Sequence, residues 1–194
     1  MSLTTPRAIS VSSSRFITVE PPNSGGLNFR NTVRVEIHTH LLPYTAGTSL
    51  RVFKAPLGGA FRDITDEVAP GSVRTRGTTG GFSQFLILVD LRATRNVISE
   101  KFTWTRNQMT SLPAATRAPL DVLLNDAQLA VNQSRFADAI AALDSFRAQV
   151  SAGAGTTIPN QWSTAQRNGN VAGELLGGAS TLKFSIGYLR DYGN

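Results

Sequence analysis

TVRVEIHTHLL, residues 32–42, alternates without a break. Val33, Val35, Ile37, Thr39 and Leu41 fall on one face of an extended chain; Arg34, Glu36, His38 and His40 fall on the other. Successive side chains of a strand point to opposite faces, so the first set belongs against a core and the second in water. The same spacing predicts strands over Phe16–Glu20, Leu50–Lys54, Ser72–Arg76, Ser83–Val89 and Val97–Trp104. QFLILVD, residues 84–90, is almost continuously apolar, which predicts a central strand covered on both faces.

The stretches between these runs are turn sequences: EPPNSGG, PYTAG, APLGG, APG and TTGG. Glycine reaches positive φ and proline fixes φ, so each reads as a tight reversal. A GG pair followed by Phe occurs three times, in GGLNF, GGAF and GGFSQF, each expected to release the chain into a strand whose Phe enters the core. Several short strands at this spacing predict an antiparallel sandwich or barrel.

The period lengthens near residue 110. APLDVLLNDAQLAV predicts a short helix with Pro119 in its first turn. NQSRFADAIAALDSFRAQVSAG predicts a longer one, with Ser134 as N-cap, a stripe of Phe136, Ile140, Leu143, Phe146 and Val150, and Gly153 as a left-handed C-cap. A last helix is expected over about 171–189, where Gly177 and Gly178 weaken propensity by roughly 1 kcal/mol each and mark a close crossing. The fold class expected is therefore α+β: an extended lead over 1–14, an antiparallel β-sandwich over 15–105, and a three-helix unit over 112–190.

Composition removes several chemistries. The chain has 194 residues and no cysteine, which excludes thiol catalysis, thiolate metal sites and disulfides. Net charge is +6. Residues 1–110 carry 13 basic and 7 acidic side chains, and residues 111–194 carry six of each. No apolar run is long enough to span a membrane, and the first residues, MSLTTPRAISVSSS, contain no apolar signal-peptide core.

Glu36, His38 and His40 share one strand face, and two imidazoles with a carboxylate suit zinc or non-haem iron. They are weighed against a solvated polar face, since the chain has no other histidine. Asp63, Asp66 and Glu67 suggest calcium, weighed against a turn with side chain to backbone hydrogen bonds. Arg74 and Arg76, with Tyr44 and Trp104, form a candidate ligand or partner surface. Basic groups beside Phe82 and Phe85 can hold nucleic acid, but the alternation of those Phe residues argues that they pack inward. Neither GFSQF nor GASTL matches a nucleophile elbow, and no phosphate loop is present.

The run from VEPPNSGG through VEIHTHLLPY and FKAPLGGAFRDITDEV, the strand GGFSQFLILVDLR and the segment IPNQW…NVAGELLGGASTLKFSI together resemble an uncharacterised family of exported bacterial proteins. The resemblance covers about residues 16–189. It implies an extracytoplasmic setting and a leading signal peptide, and it supplies no catalytic residue. More loosely, DITDEV…VRTRGTTGGFSQFLIL is similar to closing strands of surface β-sandwich modules.

The function expected is a non-enzymatic, exported binding or structural module without a cofactor, with a protein partner or self-association in view. Two alternatives stay open. One is a self-assembling surface protein that pairs through a strand or its N-terminal segment. The other is a metal-dependent enzyme built on Glu36, His38 and His40.

Overall fold

The computed structural model describes residues 17–22, 24, 26–39, 44–70, 73–167 and 169–193. The chain is α+β: most of its strands precede the helices, and one short strand falls between the third helix and the fourth. In order its elements are β1 (Ile17–Thr18), β2 (Asn28–Arg30), β3 (Val33–Thr39), β4 (Leu50–Ala55), β5 (Arg62–Asp63), β6 (Thr65–Ala69), β7 (Val73–Thr79) and β8 (Gln84–Val89), then α1 (Thr94–Gln108), α2 (Ala114–Asn132), α3 (Phe136–Gly153), β9 (Gln161–Ser163) and α4 (Val171–Tyr192).

Every strand pairing is antiparallel. One sheet runs β1-β8-β4-β5, a second runs β3-β7-β6, and β2 pairs with β9. The two larger sheets meet over Val52, Ile64 and Phe85, with Val35 and Ile37 packed against them. The alternation of β3 holds: Val33, Val35 and Ile37 are half-buried, and Arg34, Glu36 and His38 are exposed. β8 is internal to its sheet, as its apolar run requires.

That inter-sheet cluster is small. The larger core is helical and includes Phe102, Leu124, Leu143, Phe146, Leu175 and Leu182, each fully buried. Burying one such side chain stabilises by roughly 1.5–3 kcal/mol, so most of the apolar drive sits among the helices. α4 is the hub, packing on α1 and α3 on one side and on β6 and β7 on the other.

Two glycines let α4 approach both partners. A Cβ on Gly177 would lie 2.4 Å from the carbonyl oxygen of Thr78, and one on Gly178 would lie 2.7 Å from Thr105 Oγ1. The close crossing expected of this pair is therefore a helix pressed between a sheet end and a second helix. The GG pair at 80–81 serves the same purpose. A Cβ on Gly80 would meet the Glu174 backbone nitrogen at 2.7 Å, and one on Gly81 would meet the Trp162 ring at 2.6 Å. Trp162 in turn stacks on Phe29, with Phe82 edge-on to both, so the β2–β9 pair is seated by three aromatic rings.

The strand expected over Val97–Trp104 is not one: these residues lie in α1. VISEKFTW satisfies both periods, and the helical face Val97, Ile98, Lys101, Phe102, Thr105 is the one buried. Among the described residues the helices therefore number four, and the change from strand to helix falls between Val89 and Thr94. α2 starts at Ala114, which puts Pro119 in its second turn and removes one helical hydrogen bond. Ser134 is not a cap; it takes φ 57° in the turn between α2 and α3, and Arg135 occupies the N-cap position. α3 continues through Gly153, and the left-handed residue beyond it is Gly155, at φ 79°. The lead expected over 1–14 and the residue His40 lie outside the described residues.

Gly187, also in α4, borders open space: a Cβ added there would meet no atom within 4 Å. Gly187→Ala should therefore stabilise the protein by roughly 0.5–1 kcal/mol through helix propensity. Gly177→Ala should destabilise it by roughly 1–3 kcal/mol through overpacking. Urea unfolding of both variants beside the parent checks the pair.

Candidate functional site

The site is organised by the first turn of α4. Asn170 caps that helix: its side-chain oxygen accepts from the Gly173 backbone nitrogen at 2.9 Å. Its amide donates to the carbonyl oxygens of Gly80 (2.9 Å) and Asn31 (2.5 Å). One buried side chain thus pins the helix start to the GG turn and to the end of β2. One turn on, Glu174 points at the larger sheet.

Glu174 Oε1 accepts from Lys54 Nζ at 2.8 Å, and its Oε2 from Arg62 Nη2 at 2.6 Å. Lys54 also donates to Thr79 Oγ1 at 2.6 Å. Burial by itself would raise the Glu174 carboxyl, but Arg62 and Lys54 outweigh it and hold the group below its ordinary value of 4.5. Burial lowers Lys54 and Arg62, with Glu174 opposing the shift in each case. The Arg62 guanidinium lies over the ring of Trp104 of α1, 3.6 Å from its centroid.

A second buried pair lies alongside. Lys101 Nζ is 2.6 Å from Asp63 Oδ2 and donates to Thr181 Oγ1 (2.6 Å) and Ser185 Oγ (2.8 Å) on α4. Burial lowers Lys101, and Asp63 opposes it. Asp63 also accepts from the Thr65 backbone nitrogen at 2.8 Å, which is the side chain to backbone turn expected of this acidic stretch. Farther along, Arg51 donates to the Thr48 and Leu50 carbonyl oxygens and sits over the Tyr188 and Phe184 rings. Asp90 and Arg92 form a bidentate pair at the entry to α1, and Arg92 also reaches Glu100. With Asp90 and Arg92 cancelling, the seam places Arg51, Lys54, Arg62 and Lys101 against Asp63 and Glu174, an excess of positive charge.

The seam opens on one side into a cleft of about 970 Å³. Lys54, Arg62 and Glu174 lie at its polar side, and Pro56, Leu57, Phe61, Phe82 and Trp104 supply apolar wall. Glu20 and Arg167, paired with each other, stand at its rim. A smaller chamber of about 190 Å³ adjoins it, sharing Phe61, Arg62 and Trp104 and reaching Val97, Lys101 and Thr181.

Of the residues singled out in the sequence as a ligand surface, Trp104 alone lines this cleft. Arg76 lies on the outer face of β7, where it bonds Glu36 and Glu67, each at 2.5 Å, and Glu67 also pairs with Arg34. Arg74 stands opposite His38 on neighbouring strands. Tyr44 is half-buried. Glu36 is thus engaged by Arg76, which holds its carboxyl below the ordinary range, so a metal ion there has to displace a charge-assisted pair. Among the described residues, no three His, Cys, Asp or Glu side chains are grouped to hold a metal. Asp66 accepts from Thr78 Oγ1.

Sequence reading missed Lys54, Arg62, Asp63, Lys101 and Glu174 as a set. The signal was present in part. Lys54 is the last residue but one of a strand in which all six residues are buried, and Lys101 sits on the buried stripe of α1. A charge at a position patterned for the core marks a buried ion pair.

Fold and site define an α+β chain whose sheets and helices are joined by a buried ionic seam beside a mixed apolar and cationic cleft. A family of unknown function, DUF6689, matches residues 4–190, and the chain belongs to that family. No curated protein matches it. No helix among the described residues is long and apolar enough to cross a membrane.

Removing Glu174 leaves the buried Lys54 and the half-buried Arg62 without their carboxylate. Glu174→Gln should therefore cost roughly 3–5 kcal/mol, read by urea unfolding at pH 7. Because the folded-state pKa is the lower one, the parent's stabilisation from this group is complete above pH 4.5 and fades as pH falls through the folded value. The variant should lose less stability than the parent over that acid range.

Proposed function

We propose that the chain is a ligand-binding module whose site is the cleft beside Lys54, Arg62, Glu174 and Trp104. The observation that carries this reading is the fixed Arg62: it rests on Trp104 and one donor is held by Glu174, beside apolar walls. A concave site with mostly apolar lining and a few placed polar groups is the usual form of a small-molecule site. Groups already held by their neighbours lose little freedom when a ligand arrives, which favours affinity. The floor carboxylate stays ionised near neutral pH and accepts from two cations, which suits charge balance better than proton transfer.

The proposal extends to an extracytoplasmic setting, supported by the family resemblance of the 16–189 stretch. Fractionation of cells expressing the natural gene tests it; recovery in the cytosol alone would refute export.

Trp104 reports on the cleft. A panel of short peptides, oligosaccharides and small organic acids, titrated against parent and Trp104→Phe, should give at least one saturable fluorescence change in the parent that the variant lacks. Responses equal in both proteins, or none from any compound, would overturn the reading.

A further inference from the structure

Resting on the cleft as a binding site, we propose that the chamber behind Arg62 and Trp104 takes the ring of a small aromatic carboxylate, whose carboxylate is received by Arg62. Size comes first. At about 190 Å³ the chamber is somewhat larger than the cavity of roughly 150 Å³ that holds a benzene molecule in an engineered protein, leaving room for a ring and a short substituent. Its walls come next: Phe61, Val97 and Trp104 are apolar, and two of them are aromatic, which suits a planar ring.

Free donors select the head group. Arg62, Arg92 and Lys101 line the chamber and each is paired with a carboxylate, so preference for an anion rests on the N–H groups that Arg62 has left over. Arg62 is placed to receive it. It lines both the chamber and the cleft, so a carboxylate at the shared wall meets its guanidinium from either side. Its Nη2 is spent on Glu174, and no other guanidinium N–H of Arg62 bonds a described residue. Its side chain keeps 23% of its surface exposed. The Trp104 face holds the guanidinium in place, and a fixed planar fork recognises a carboxylate through two parallel hydrogen bonds. Lys101 is taken by Asp63, Thr181 and Ser185, and Arg92 by Asp90 and Glu100, so those cations do not supply the contact.

Benzoate and phenylacetate are the probes, compared with benzyl alcohol and with acetate by two-dimensional NMR of the full chain. The aromatic acids should shift the Trp104 indole N–H saturably, and benzyl alcohol and acetate should each bind at least about tenfold more weakly. Arg62→Lys keeps a cation for Glu174 and removes the fork; it should weaken benzoate at least about tenfold and leave benzyl alcohol unchanged. Equal affinity for benzoate and benzyl alcohol, or no saturable shift with either acid, overturns the proposal. If another compound of the wider panel still reports through Trp104, the aromatic-acid reading alone falls; if none does, the cleft falls with it.

Discussion

A carboxylate taken out of water has to find cations, and Glu174 finds two of them on a different layer of the protein. Lys54 and Arg62 come from adjacent strands of the larger sheet, whereas Glu174 comes from the first turn of the central helix. Asp63 and Lys101 repeat the arrangement between that sheet and α1, with Thr181 and Ser185 of α4 closing the shell. Each charge is costly to bury, and each is tolerable only if its partner arrives in register. The helices are therefore not free to slide on the sheet. Gly177 and Gly178 allow the approach, Asn170 fixes the start of α4, and the ion pairs fix where along the helix the sheet must sit.

The same requirement makes the cleft. Side chains long enough to cross the boundary hold the layers apart at one end, where Phe61, Phe82, Trp104 and Leu57 cannot fill the remaining space. The result is an apolar-walled hollow with a surplus of cationic groups already locked in place. Locked groups lose little freedom on binding, and desolvated cations interact more strongly with an incoming anion than solvated ones do. Stability and recognition thus draw on the same residues, which is why a structural argument about Glu174 and Arg62 leads to a functional one.

The elements with a single clear period were legible in the sequence. β3 read out through alternation, because one of its faces is buried; β4 and β8 read out as short apolar runs between turns, and α3 and α4 through three-and-four spacing. α1 was not legible: Val97, Ile98, Lys101, Phe102 and Trp104 satisfy either period, and only packing against α4 decides between them. The capping residues near Ser134 and Gly153 shifted by one or two positions, since turn geometry depends on where the next helix docks. The site was legible at Trp104 and, as a turn residue, at Asp63. Lys54 and Glu174 are 120 residues apart, and pairing across that distance has no local signature. Of the two histidines, prominent in the sequence because they are the only ones, His38 is an exposed residue of β3 and His40 lies outside the described residues.

The most direct test of the ionic seam is a double-mutant cycle on Asp63 and Lys101, using Asp63→Asn, Lys101→Met and the two together, each followed by urea unfolding. If the pair fastens α1 to the sheet, each single change should cost roughly 3–5 kcal/mol, and the double variant should recover roughly 2–3 kcal/mol of the summed loss. Losses that simply add, to within about 0.5 kcal/mol, would show that the two charges act independently and that apolar packing alone holds the layers together.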